Sequence, residues 1–297
     1  MKKILSMALA SAAVMMLSVT VSSCSRSDKE EPKVFAKLTL EASRGEYGAS
    51  SSTTRTLTEA NSTVVSTWKT TDKVAVYKKG WTAKIGEIAP KTDSDNARTK
   101  LDGTVNSAGM NVGDKMDLIT PRTDWSYTEQ DGTLEKISST YDYAVAEAQV
   151  IYIDAENNNM LYASNAIFNP QQAVLKFTLK NDDGTQDLSV PSLTIVSGSG
   201  KIVLSRNLDG STVNYGGLTI KPASATNTYY VALRNDQDGA DTYTFTARAN
   251  NTVFCYTKDN VSFKPGDFWE IVIWMKDMNN TYSERTGYVD KGDTTWK

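Results

Sequence analysis

The chain has 297 residues, 32 Lys and Arg against 35 Asp and Glu, and a net charge of −3 with no histidine at all. The missing imidazole excludes Ser-His-Asp and Cys-His catalysis, most zinc sites and the usual proton shuttle near neutral pH. Acids and bases are interspersed, so no basic face offers itself to nucleic acid. Thr, Ser, Asn and Asp are abundant, Tyr and Trp are well represented, and Leu-rich heptads are missing, which is the profile of an all-β exported protein.

In chain order, Met1-Lys2-Lys3 gives a basic start and residues 4–21 a nearly uncharged stretch rich in Ala, Leu, Met and Val. Val21-Ser22-Ser23 then leads into Cys24. This is the pattern of a secretory signal over residues 1–23. With cysteine at the first mature position it resembles the lipobox of bacterial lipoproteins. That resemblance implies cleavage before Cys24, diacylation of its thiol, and a mature protein anchored in outer-membrane lipid at the cell surface. Residues 24–33 are charged, have nothing to bury and read as a solvated tether. No later stretch approaches the roughly 18–20 consecutive apolar residues of a membrane helix.

Beyond the signal about 270 residues remain, enough for one large domain or two ordinary ones. Period-2 alternation recurs through them, the sign of strands half-buried in sheets. The first strand is expected over residues 34–40, with Val34, Ala36, Leu38 and Leu40 on one face. A polar run over 43–55 follows, expected to be flexible. Strands are then expected over 63–68, 73–78, 115–119 and 149–153. The rhythm restarts with 173–180, the cleanest alternation in the chain, and continues at 192–196, 201–204, 218–220, 228–233, 243–249, 253–257 and 269–275. A polar link at 154–159 and a loop at 165–172 mark a boundary between two β-sandwiches, 34–165 and 166–276. No long helix is expected, and 277–297 forms a polar tail. Cys255 lies in apolar alternation and reads as a buried, inert thiol, without an internal disulfide partner once Cys24 is acylated.

A succession of motifs then carries a resemblance. The Ser/Thr-rich loop ends in Thr54-Arg55-Thr56, followed by Val65-Ser66-Thr67-Trp68 and Thr71-Asp72-Lys73-Val74-Ala75-Val76-Tyr77. Met160-Leu161-Tyr162-Ala163 and the run from Phe168 through Asn169-Pro170-Gln171-Gln172 to Phe177 come next, and Phe263-Lys264-Pro265-Gly266-Asp267-Phe268-Trp269 introduces the last strand. In this order they resemble the fimbrillin family, the pilins and pilin-like lipoproteins of Bacteroidales. The resemblance implies two tandem transthyretin-like sandwiches and adhesion through a fimbrium. It also implies assembly by strand donation: a protease trims the N-terminal strand after an arginine, and a strand of a neighbouring pilin subunit fills the groove. Here the displaced strand would be the one carrying Val34, Ala36, Leu38 and Leu40. The cleavage candidates are Arg44, which is closest to the strand and preferred on that ground, and Arg55. The weakly apolar tail departs from what a repeating stalk subunit needs, and fits a tip, an accessory subunit or a non-polymerising lipoprotein.

The alternative is a non-polymerising surface lipoprotein that binds glycan or host protein through exposed rings. Trp81, Trp125 and Tyr127, with Tyr141 and Tyr143, are its candidates because they fall in or near loops. Aromatics in sandwiches are more often core, and exposure of several on one concave face would distinguish the two. An enzyme is not expected: Asp114, Asp117, Asp124, Glu129, Asp131 and Glu135 show no catalytic pair spacing. The Asn/Asp turns at 93–96 and 157–159 lack the ordered ligands of a calcium loop, so no metal and no cofactor is expected.

Overall fold

A computed structural model describes residues 34–45, 47, 58–60, 63–66, 68–92, 97–121, 124–156, 160–208 and 210–278. The all-β expectation holds. Strands run β1 (Phe35–Arg44), β2 (Thr58–Ala60), β3 (Thr63–Val65), β4 (Val74–Lys78), β5 (Lys84–Pro90), β6 (Arg98–Asn106), β7 (Lys115–Thr120), β8 (Trp125–Ser126), β9 (Ala144–Asp154), β10 (Met160–Ala163) and β11 (Ala166–Pro170). Eight of these form one sheet in the order β10-β1-β11-β9-β7-β4-β5-β6. Because β1 also pairs with β6, and β10 with β9, the hydrogen-bond ladder closes on itself. β10 and β11 act as one interrupted strand, each pairing with β1 on one side and β9 on the other. Inside the ring lie Leu38, Leu40, Trp68, Val76, Ile88, Leu101, Met116, Leu118, Leu161 and Phe168.

The remaining strands are β12 (Ala173–Lys180), β13 (Leu193–Ser197), β14 (Val203–Arg206), β15 (Val213–Tyr215), β16 (Leu218–Ile220), β17 (Thr228–Leu233), β18 (Asp241–Ala249), β19 (Thr252–Val261), β20 (Phe268–Trp274) and β21 (Lys276–Asp277). They form a β17-β12-β20 sheet, a β16-β13-β18-β19-β21 sheet and a small β15-β14-β8 sheet. The strands hold a second core that includes Val174, Leu175, Phe177, Ile195, Tyr229, Val231, Phe245, Ile271 and Ile273. The two cores repeat one arrangement. The opening strand of each has an antiparallel neighbour on one side and a parallel one on the other: β6 and β10/β11 flank β1, while β17 and β20 flank β12.

Three local expectations need correction. The first strand does not stop at Leu40 but runs on to Arg44, because Ala42 keeps the inward parity of Ala36, Leu38 and Leu40. The loop expected at 165–172 contains β11, which pairs inside the first ring, so the path changes core between Phe168 and Ala173. The segment 124–143 does not stay with the first core. Trp125, Tyr127, Ile137, Tyr141 and Tyr143 pack into the second one. Buried Gln130 fastens it there: its Nε2 donates to the Ala232 carbonyl at 2.8 Å, and its Oε1 accepts from the Ala232 N–H at 2.8 Å. Within the same segment lies a short helical stretch, Leu134–Lys136 followed by a π turn at Ile137–Tyr141, capped by Thr133 Oγ1 accepting from Lys136 N.

Candidate functional site

The opening strand is fixed along both edges. β1 pairs antiparallel with β6 from Phe35↔Asn106 to Ser43↔Arg98, and parallel with β10 and β11 through Leu38↔Leu161 and Ala42↔Ala166. Ala36, Leu38, Leu40 and Ala42 are buried, whereas Val34 precedes the strand and is 42% exposed. Lys37 and Glu41 point outward between them. A strand in this position closes the ring. Taking it away would leave two unpaired edges and an apolar slot one strand wide.

Two-residue periodicity brings Arg44 onto the same inward face, at the mouth of the slot. Its side chain is 2% exposed. Nη1 donates to Asp142 Oδ2 at 2.7 Å and to Ser66 Oγ at 3.1 Å. Cζ stands 4.3 Å from the centroid of the Trp68 ring, and neither Nε nor Nη2 finds a hydrogen-bond acceptor. Ser66 Oγ donates to Asp142 Oδ2 at 2.7 Å and the Tyr47 hydroxyl to Asp142 Oδ1 at 2.9 Å. Gln172 Nε2 donates to the Tyr47 hydroxyl, and Tyr127 donates to Gln172 Oε1 at 3.3 Å. Gly45 lets the backbone pass between β1 and Tyr47, since its N–H bonds the Phe168 carbonyl at 2.7 Å and a Cβ would meet that oxygen at 3.0 Å. Burial pulls the Arg44 guanidinium below its usual range, and the Asp142 charge opposes that. Burial, reinforced by Asp142, pushes the Tyr47 phenol well up, so it stays protonated and donates.

This network joins the two cores: Trp68 and Phe168 meet edge-on at 5.1 Å in the first, while Tyr47 and Tyr127 belong to the second. Sequence reasoning singled out Arg44 but placed it in a solvated loop. The parity of residues 36, 38, 40, 42 and 44 is the signal that it faces inward. Nothing local announces Asp142, 98 residues away.

Of the ring candidates for ligand binding, Trp125 and Tyr127 are buried, with Tyr141 and Tyr143. Trp125 and Tyr143 stand 5.6 Å apart, and Tyr127 meets Tyr143 edge-on at 5.3 Å. Trp81 is separate, 49% exposed, with Lys78 Nζ 5.2 Å from its ring. It lines a cleft of about 490 Å³ together with Tyr77, Asp117, Asp124 and Asn207. Cys255 is half-buried in β19 and free. Among the described residues no group of His, Cys, Asp and Glu could hold a metal ion, and no helix is long and apolar enough to cross a membrane. Cys24, Arg55 and the tail beyond Met278 lie outside the described residues.

No family model matches the chain, and no curated protein matches it. Solved structures do overlap with it. A fimbrial assembly protein from Parabacteroides distasonis is 13% identical over 81% of this chain and 92% of its own, at a TM-score of 0.41. A protein provisionally assigned to cell adhesion from Bacteroides ovatus is 13% identical over 82% of this chain and 95% of its own, at 0.44. The shaft pilin of Lactobacillus rhamnosus GG is 9% identical over 82% of this chain and 97% of its own, at 0.33.

Proposed function

We propose that this chain is a fimbrial subunit or fimbrillin-like surface lipoprotein built of two tandem transthyretin-like domains. It is held in the outer membrane through acylated Cys24 and assembles by strand exchange after proteolytic loss of β1. The observation that carries this reading is the position of β1. It is the strand that closes the first ring, hydrogen-bonded on both edges and filling the core with Ala36, Leu38, Leu40 and Ala42. A strand-shaped vacancy of this kind suits β-augmentation, in which backbone bonds give affinity and alternate side chains give specificity. The repeated arrangement around β12 supports two domains of one kind. Burial of Arg44 favours Arg55 as the cleavage site in this reading, since an arginine-specific protease must take the guanidinium into its own cleft.

The test is intact mass and N-terminal sequencing of the protein recovered from its outer membrane. A start at Thr56, with Phe35–Arg44 gone, is the expected result for assembled subunits. A chain that always begins at acylated Cys24 and keeps β1 would overturn the exchange step.

A second reading, capture of glycan or host protein without polymerisation, is favoured by the cleft at Trp81, where an exposed indole stands among Asp117, Asp124 and Asn207. Flat sugar faces stack on such a ring while the polar groups bond hydroxyls. Trp81→Ala would then abolish binding on a glycan array and leave thermal stability unchanged.

A further inference from the structure

The exposed large apolar side chains of the first ring are not scattered. Ile167 lies opposite Ser43, towards the far end of β1, and Trp81 lines the cleft. Val34, Phe35, Val112, Ile151 and Tyr152 gather at the other end. Strand directions define that end: β1, β5, β7 and β10 start there, and β4, β6 and β9 finish there. The loop from Ser107 to Asp114 connects the five residues. On one side the Ser107 N–H and hydroxyl both donate to the Val34 carbonyl, at 2.7 and 2.9 Å. On the other the Gly113 N–H donates to the Val150 carbonyl at 2.8 Å, and the Val150 N–H to the Asp114 carbonyl at 2.9 Å. Lys78 Nζ fixes the middle, donating to the Gly109 carbonyl at 2.7 Å and pairing with Asp114 at 2.8 Å. Met110 is buried and Val112 exposed, so the loop turns one apolar side chain inward and presents the other. Next to Ile151, the Tyr152 ring stands 5.8 Å from that of Tyr162 across the β9–β10 pair. A gathered apolar rim of this kind marks a binding surface.

We infer that this rim is a membrane-docking face, covered by the same lipid surface that anchors the chain. The inference rests on the lipid-anchor part of the proposed function and goes beyond it by fixing how the folded body stands on the bilayer. The occupant follows from where the tether joins. Residues 24–33 span at most about 33–36 Å between acylated Cys24 and Val34, and Val34 is itself part of the rim. The end of the ring that carries the apolar side chains is thus the end held next to lipid, at high effective concentration. Aromatic and aliphatic side chains presented on a fixed rim enter the boundary between headgroups and acyl chains, to about the 5–10 Å reached by interfacial helices. Lys37, half exposed two residues after Phe35, keeps its ammonium at the level of the headgroups. From this rim β1 runs about 30 Å to the Arg44 network at the second core, so the second core projects away from the membrane. Loss of β1 would take the tether, Val34 and Phe35 together, which makes strand removal and release from lipid a single event.

The experiment uses the acylated full chain, reconstituted in vesicles of phosphatidylethanolamine and phosphatidylglycerol. An environment-sensitive fluorophore is placed on Val112→Cys, Tyr152→Cys or, as a control in the second core, Val196→Cys, each with Cys255→Ser. The labels at 112 and 152 should shift to the blue on the vesicles and be quenched by spin-labelled lipid, and the label at 196 should do neither. Labels at 112 and 152 that stay as wet as the one at 196, on protein that floats with the vesicles, would overturn the inference and leave the anchor standing. Protein that does not float, with an unmodified Cys24 by mass, would sink the anchor reading and the inference with it. A blue shift in the unacylated Cys24→Ser protein, free of vesicles and growing with its concentration, would assign the rim to a second copy and overturn the inference. Hydrogen exchange on the unaltered protein decides the matter if a labelled variant misfolds. Amides of 107–113 and 151–154 should exchange more slowly on vesicles than after the tether is cut, and equal rates would count against docking.

Discussion

Arg44 shows how one residue changes meaning when its environment is known. Read alone it is a soluble arginine in a Ser/Gly-rich stretch, whereas in the fold its charge is matched to Asp142 in an almost dry site. Removing one member of such a pair costs about 3–5 kcal/mol, because the other is left buried and charged. Arg44→Met should lower stability by about that amount in urea titrations. A surface carboxylate gives a contrasting case. Glu147 on β9 accepts from Lys115 at 2.7 Å and Lys79 at 2.9 Å, and these two hydrogen bonds hold its pKa down at about 2. Its folded value lies below the ordinary 4.5, so any stability it contributes is present above pH 4.5 and is lost as the pH falls through about 2. A carboxyl-carbon NMR titration should find that low midpoint, and Lys115→Met should move it upward.

At the scale of elements, ring closure depends on how tightly β5, β6 and β1 approach each other. Gly103 on β6 stands opposite Leu38 of β1 on one side and Ile88 of β5 on the other. A Cβ there would lie 2.2 Å from the Glu87 carbonyl oxygen, and one at Gly86 would lie 2.4 Å from that of Thr104. No rotamer change relieves a clash with backbone. Gly103→Ala must therefore push the strands apart, and is expected to cost about 1–3 kcal/mol, read as a lower thermal midpoint. Leu38→Ala attacks the same place from inside, leaving a cavity in a fully buried site. It should cost about 2–5 kcal/mol. These glycines also explain why β5 and β6 are absent from the strands expected from sequence. Their alternation is broken by the small residues that permit close approach. β1, β4, β7 and β12 were legible because each has an unbroken inward run: Ala36-Leu38-Leu40, Val74-Val76, Met116-Leu118 and Ala173-Leu175-Phe177-Leu179.

Across the whole molecule, the Arg44–Asp142–Tyr47–Gln172 network and the aromatic segment 124–143 tie the two cores together, and the described residues belong to one compact unit. Unfolding should consequently be cooperative. Trp68 in the first core and Trp125 in the second are expected to report the same urea midpoint in fluorescence, each as the single tryptophan left in its variant. Arg44→Met should separate the midpoints, because it breaks the link while leaving both apolar cores filled. Two distinct transitions in the unaltered protein would contradict this.

The sequence by itself determined the all-β class, the alternating face of the opening strand and the absence of imidazole chemistry. Each follows from composition or from a period of two, which act over a few residues at a time. Only the tertiary structure decided that β1 closes a ring, that Arg44 is buried against a carboxylate far along the chain, and that Trp125, Tyr127, Tyr141 and Tyr143 are core while Trp81 is not. Pairing between distant segments is set by which edges and faces remain unsatisfied once local strands have formed. No window of neighbouring residues contains that information.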